Sequence, residues 1–249
     1  MDLKIRGHVA MVTGAGRGIG RGIALALAAE GCKVVVLDRD GDPANEVAQR
    51  IRAAGGEALA LIGDVGDSAS VASFTKAALE KFGTVHILVN NAGFSRDAAI
   101  TDMTDSQWQD VIDVCLSGVF YCSRAVAPAM LKQRYGRIIN IASRSYLGNL
   151  KKVNYSAAKA GVIGFTKALA MEMGSHNVTV NAIAAGTVDT ERFKSTPNYA
   201  QAIVRAKASI LVGRVGEPED MARGVLFLAS PDAGYITGDV MHITGGRFG

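Results

Sequence analysis

Short runs of β-branched and other apolar residues, separated by longer stretches with helical spacing, constrain this chain more than any other feature. The runs are His8–Thr13, Lys33–Asp38, Glu57–Gly63, Val85–Asn90, Gly136–Ala142, Thr179–Ala184 and Val240–Ile243. They are continuously apolar rather than alternating, the pattern of strands buried on both faces in a parallel sheet. Between them the spacing predicts helices over Gly18–Glu30, Pro43–Ala54, Ser68–Phe82, Asp105–Lys132, Tyr155–Met173 and Glu217–Ala229. Asp105 and Glu217 fall where a helix start favours negative charge. Strand and helix in alternation require right-handed crossovers. The expected fold class is therefore α/β, a doubly wound parallel sheet with helices on both faces. There is no internal repeat and no linker rich in Pro, Gly and Ser, so residues 1–249 are read as a single domain. Thr187–Val212 breaks the alternation with a long stretch of mixed polarity, and is expected to be a substrate lid.

Composition removes several function classes. Hydrophobic residues make up 49% of the chain and charged ones 20%, which suits a large core and argues against disorder. The net charge of +4 is scattered, with no basic run longer than Lys151-Lys152, so no nucleic-acid partner is expected. Cys32, Cys115 and Cys122 are odd in number and lack metal spacing, so neither a disulfide framework nor a metal site is expected. The amino terminus has no signal-peptide pattern and no apolar run approaches a membrane span. The expected setting is the reducing cytoplasm, with no membrane partner.

The first strand runs into Thr13-Gly14-Ala15-Gly16-Arg17-Gly18-Ile19-Gly20, and a helix follows. Glycines at such a turn let the backbone approach a pyrophosphate, and the helix start supplies N–H groups and positive dipole for it. With a strand before and a helix after, the turn makes the sheet Rossmann-type, and Gly14, Arg17, Gly18, Ile19 and Gly20 become candidate cofactor residues. Asp38 ends the next strand, where a carboxylate accepts hydrogen bonds from adenosine ribose hydroxyls and repels a 2′-phosphate. Arg17 and Arg39 could instead reach a 2′-phosphate. Asp38 is given more weight, so the cofactor is expected to be NAD rather than NADP.

Tyr155 and Lys159 are four residues apart at the start of a predicted helix and so share a face. A free phenol is a poor base at neutral pH, and a nearby ammonium stabilises its phenolate. Such a pair can give or take the proton of an alcohol.

With these motifs in order, the chain resembles the short-chain dehydrogenase/reductase family over its whole length. The pieces are Thr13–Gly20, Asp64-Val65, Asn90-Asn91-Ala92-Gly93, Ser143, Tyr155 with Lys159, and Thr190. The resemblance implies an oxidoreductase that moves hydride between a nicotinamide cofactor and a small secondary alcohol or ketone. It implies that Ser143 holds the substrate oxygen against Tyr155, and that Lys159 binds the nicotinamide ribose. It further implies that Asp64 and Val65 contact adenine, that Asn90 and Ala92 line the cofactor cleft, and that Gly186, Val188 and Thr190 border the carboxamide end. A homotetramer or homodimer is implied too, built on Asp105–Lys132, Tyr155–Met173 and the last strand.

Departures from the family pattern qualify this. Cys115 stands where the family has an Asn that supports a proton relay, and a thiol is a weak donor and acceptor. Ser143 lies one residue closer to Tyr155 than is commonest, with Ser145 as fallback. Ala185-Gly186 replaces Pro-Gly, and His86, read as structural, replaces an Asp. The predicted cleft walls carry Arg96, Arg144, Lys151, Lys152 and Arg192, which suits a polar or anionic substrate. Arg144 is favoured among them because it abuts Ser143. Two other readings stand beside the NAD-linked dehydrogenase. One is an NADPH-dependent 3-oxoacyl thioester reductase, favoured by Arg17, Arg39 and the basic cleft. The other is a catalytically silent nucleotide-binding scaffold, favoured by Cys115 alone.

Overall fold

The computed structural model describes residues 2–247. Its strands are β1 (Val9–Thr13), β2 (Lys33–Asp38), β3 (Ala58–Ile62), β4 (Ile87–Asn90), β5 (Gly136–Ser143), β6 (Val178–Ala185) and β7 (Val240–Ile243). They form one sheet in the order β3-β2-β1-β4-β5-β6-β7, and every pairing is parallel. The chain winds outward from β1 through β2 to β3, then returns to the other side of β1 with β4. That reversal opens a crevice beyond the carboxyl ends of β1 and β4, the place where open α/β sheets bind ligands.

Helices cover both faces. α1 (Gly18–Ala29), α2 (Gly41–Ala53) and α9 (Pro218–Ala229) pack on one through Leu27, Val47 and Val225, against Val12, Val34 and Ile139. α3 (Ser68–Phe82), α5 (Gly118–Gln133) and α6 (Val153–Met173) pack on the other through Phe74, Met130 and Met173, against Met11, Leu88 and Ile138. Adjacent strand residues point to opposite faces, so continuous apolar strands fill both layers. Cys32 and Cys122 are buried in these layers, which pushes their thiols up to about 12.

One expectation needs correction. The stretch Asp105–Lys132 is not one regular helix. α4 (Asp105–Ile112), opened by a Thr104–Gln107 capping box, passes through a π-helical turn at Asp113–Ser117 into α5. The stretch Asp105–Gln133 is long and apolar enough to cross a membrane by length and composition, yet Val111, Val126 and Met130 face the protein core. Residues 187–212, expected as a substrate lid, are partly helical. They hold α7 (Glu191–Lys194), capped by Thr190, and α8 (Tyr199–Ala208).

Candidate active site

The crevice is a cleft of about 1060 Å³, lined by residues from both halves of the sheet. On the β1 side, Gly14, Arg17, Gly18, Ile19 and Gly20 form its floor. At Gly14 and Gly20 the backbone is held so closely that a side chain would not fit. A Cβ on Gly20 would lie 2.1 Å from the Gly14 carbonyl oxygen, and one on Gly14 would lie 2.9 Å from Ala92 Cα at positive φ. Two residues that the sequence reading did not single out make this packing possible. Thr13 Oγ1 accepts from the backbone amides of Asn91 and Ala92, both at 3.0 Å. Asn91 Nδ2 donates to the carbonyls of Thr13 and Gly14 at 2.9 and 3.0 Å. The second Asn of Asn90-Asn91-Ala92-Gly93 thus ties the end of β4 to the Gly-rich turn. Asn90, expected on the cleft, is instead inside the sheet. It is 3% exposed and its Nδ2 donates to Asn140 Oδ1 and Ser123 Oγ. As the last residue of β4 it keeps its side chain in the pleat, and Asn91, Ala92 and Gly93 form the wall.

At the end of β2 the Asp38 carboxylate is fixed by two backbone amides, Gly16 at 2.8 Å and Asp40 at 3.1 Å. The Arg17 guanidinium turns to Asp40 at 2.8 Å, and that pairing holds its pKa above the ordinary value. Asp64 and Val65 line the next stretch of wall, and Asp64 Oδ1 accepts from the Gly66 amide. Gly186, Val188 and Thr190 line the far side. A Cβ on Gly186 would lie 2.8 Å from Thr244 Cα, so the substitution of Ala185-Gly186 for Pro-Gly keeps the residue whose small size matters.

The other half of the cleft carries Ser143 at the end of β5, and Tyr155 and Lys159 one turn apart on α6. Lys159 is 3% exposed. Its Nζ donates to the Ile141 carbonyl at 2.7 Å and lies 5.6 Å from the Tyr155 ring centroid. Ser143 Oγ accepts from the Ser145 amide at 3.2 Å, leaving its own proton free. Asn154, fully buried, was not legible as a site residue. Its Nδ2 donates to the carbonyls of Arg96 and Gln107 while its Oδ1 accepts from the Tyr155 amide at 2.7 Å, so it anchors the start of α6 under Tyr155. Cys115 lies in the π-helical turn and its Sγ donates to the Phe94 carbonyl at 3.3 Å.

Of the five basic residues expected around the substrate, Arg96, Lys152 and Arg192 line the cleft. Arg144 and Lys151 do not. Ser143 is extended, so the side chain after it points the other way. Burial, then the Arg247 guanidinium, push the Arg144 pKa down. Lys152 is balanced by Asp97 at 3.0 Å, and Arg96 and Arg192 lie 5.4 and 6.0 Å from the Phe94 ring centroid.

Known proteins share this arrangement's sequence and shape. A family model described as enoyl-(acyl carrier protein) reductase matches residues 14–247. The chain is 47% identical to a 3-oxoacyl-(acyl-carrier-protein) reductase of Synechocystis, covering 96% of each chain. It is 39% identical to a hydroxy(phenyl)methylsuccinyl-CoA dehydrogenase subunit of Thauera aromatica, covering 98% of this chain and 97% of that one. A solved structure described as a short-chain alcohol dehydrogenase from Sinorhizobium meliloti 1021 superposes with a TM-score of 0.93 at 37% identity, covering 99% and 98%. The chain is an oxidoreductase acting on carbonyl and hydroxyl groups, and it belongs to the short-chain dehydrogenase/reductase family.

Proposed function

We propose that the chain is an NAD-linked dehydrogenase of a small secondary alcohol, working reversibly as a ketone reductase, with Ser143, Tyr155 and Lys159 as its catalytic residues. The observation that carries this reading is the buried Lys159 ammonium held 5.6 Å from the Tyr155 ring, on a cleft that Ser143 also lines. The Ser143 hydroxyl has its acceptor side occupied by the Ser145 amide, so it donates to the substrate oxygen. Tyr155 then takes the proton of the alcohol in oxidation and returns it in reduction. Lys159, fixed on the Ile141 carbonyl, sets a positive charge beside the Tyr155 ring and offers its remaining protons to ribose hydroxyls.

The cleft fits a dinucleotide. The glycines let the turn pack tightly against the end of β4 at the cleft floor, and the amino end of α1 supplies N–H donors suited to a pyrophosphate. A bound nicotinamide supplies or accepts the hydride. Asp38, with both oxygens fixed toward the ribose end, favours NAD over NADP, and Arg17 is already balanced by Asp40. Arg96, Lys152 and Arg192 support a polar or anionic substrate, and residues 187–212 serve as the lid above it. The reading includes a cytoplasmic homotetramer or homodimer. It is supported by three unpaired cysteines and by the exposed Phe120 on α5 and Met171 on α6.

A second reading, reduction of a 3-oxoacyl thioester, is favoured by the names of the curated relatives. Tyr155→Phe tests the site for either substrate. Turnover should fall about a hundred- to ten-thousandfold, with NADH binding retained. A variant that keeps its turnover would remove Tyr155 from the mechanism. Measuring wild-type rates with NADH and NADPH, on secondary alcohols and on 3-oxoacyl thioesters, separates the two readings.

A further inference from the structure

The amino end of α1 is already occupied by an anion, and that anion belongs to the chain itself. Gly18 donates its backbone N–H to Glu191 Oε2 at 3.1 Å, and the Arg21 guanidinium holds Glu191 Oε1. Glu191 opens α7, the first element of the inserted stretch between β6 and α9. The neighbouring Thr190 closes the gap from the side, with its Cγ2 3.2 Å from where a Cβ on Gly18 would be. Burial pushes the Glu191 carboxyl up. The amides of Glu191 itself and of Gly18, together with Arg21, outweigh that and hold it below the ordinary carboxylate range.

We infer that Glu191 is an internal competitor for the cofactor's pyrophosphate, and that dinucleotide binding has to displace its carboxylate, and α7 with it, from the start of α1. This rests on the proposed reading of the cleft as a dinucleotide site. One backbone amide and one patch of positive dipole cannot serve a carboxylate and a pyrophosphate at once, because the two anions would repel at contact distance. No residue of α1's first turn is acidic, and among the described residues Glu191 is the carboxylate bonded to its Gly18 amide, while Asp38 and Asp40 are engaged by Gly16 and Arg17.

α7 is built to yield. It is a single turn with no buried residue. Apart from Glu191, it is tied down by the Thr190 cap, by Lys194 to Asp189 at 3.6 Å, by Arg192, whose Nη2 donates to the Ser95 carbonyl at 3.1 Å and whose guanidinium stacks near Phe94, and by Phe193 edge-on to Tyr199 six residues on. Each of these contacts is exposed or local, and elements with little buried surface open at low cost. Glu191 and Arg192 thus fasten adjacent ends of one turn to opposite walls, the first to the cofactor floor and the second to the substrate side. Releasing the first frees the turn to swing on the second. A purely structural ion pair between exposed side chains would contribute little and leave binding unchanged.

The test is E191Q, which keeps the side chain's length and removes its charge. NADH is titrated into wild type and variant by nicotinamide fluorescence, and amide hydrogen exchange is followed over residues 187–212 without cofactor. E191Q should bind NADH about tenfold more tightly, the equivalent of one charge-assisted hydrogen bond no longer broken on entry. Its α7 amides should exchange faster than those of the wild type. Equal or weaker binding by E191Q, or unchanged exchange in α7, overturns the inference while leaving the cofactor site standing. Failure of both proteins to bind either NADH or NADPH overturns the inference together with the reading of the cleft.

Discussion

The same three strands end in polar clusters at both ends, and the two clusters are built on opposite terms. At the carboxyl ends of β1, β4 and β5, Thr13 and Asn91 spend their hydrogen bonds on neighbouring backbone, and Ser143 keeps its hydroxyl proton facing an open cleft. At the amino ends, His8, His86, Tyr135 and Arg137 pack against one another. The two imidazoles stack at 4.7 Å, Tyr135 meets both edge-on, and the Arg137 guanidinium lies 4.4 Å from the Tyr135 ring centroid. Arg137 is 1% exposed, and among the described residues no carboxylate lies within ion-pair distance of it. Its Nη1 donates to the carbonyls of Gly136 and Asn177 instead. Polar groups at one end are arranged around space, and at the other around each other. Substitutions at the first should therefore alter kinetics with little change in stability, and substitutions at the second the reverse.

After Tyr155→Phe, the largest effect at the cleft end is expected from Ser143. Ser143→Ala removes the donor held against the substrate oxygen and should lower kcat about a hundredfold, with the melting temperature nearly unchanged. Ser145→Ala should cost less than about tenfold, because Ser145 is buried at 7% exposure whereas Ser143 is only half-buried at the cleft. Steady-state rates of the two variants, measured beside their melting curves, check both halves of the claim. A reversed ranking would move the substrate oxygen to Ser145.

Much of the architecture was legible because burial on both faces writes itself into every strand. Lys33–Asp38 and Val240–Ile243 are read to the residue, and the others to within two. The Gly-rich turn, Asp38, Ser143, Tyr155 and Lys159 converge on one cleft because each ends a strand or starts a helix at the same edge of the sheet. What stayed hidden depends on information that spacing does not carry. The π-helical turn at Asp113–Ser117 adds backbone without disturbing the apolar pattern. α7 is one turn long, too short for any periodicity to show. Asn90 and Asn91 are adjacent and identical, and only their alternate directions separate a sheet residue from a cleft residue. Arg144 follows the same rule beside Ser143. Glu191 was invisible because its partners, Gly18 and Arg21, are 170 or more residues away in sequence.

At the closed end, Arg137→Met keeps the side chain's bulk and removes the donors to Gly136 and Asn177. It should destabilise the fold by about 2 kcal/mol, the cost of leaving buried carbonyls unsatisfied, offset in part by no longer burying a charge. Chemical denaturation measures the loss. The kcat and KM of the folded fraction should match wild type. If the variant instead keeps its stability and loses turnover, the two ends of the sheet are coupled and the division of labour drawn between them fails.

The smallest expected effect is a pH dependence from the same cluster. Burial, then the neighbouring His86 and Arg137, push the His8 imidazole down to about 4, and burial lowers His86 too. His86 Nδ1 accepts the Val9 amide proton at 2.9 Å, so that ring is held neutral by the sheet itself. Both groups have folded-state pKa values below their unfolded one of 6.5, so the unfolded chain binds protons first as pH falls. Stability is complete above pH 6.5, declines as pH drops from 6.5 toward 4, and changes no further below that on their account. The depressed carboxyls of Glu191 and Asp220, the latter at about 2, lose their contribution only as pH falls through the ordinary carboxylate values of 4.5 and 3.8 and below, so pH 7 to 5 isolates the imidazoles. Both rings are half-buried and partly screened, which sets the loss at about 1 kcal/mol. Melting curves across that window should fall by a few degrees in wild type. His8→Phe, which keeps an aromatic face against His86, should flatten the slope. An equal slope in the variant would assign the acid sensitivity to groups outside the cluster.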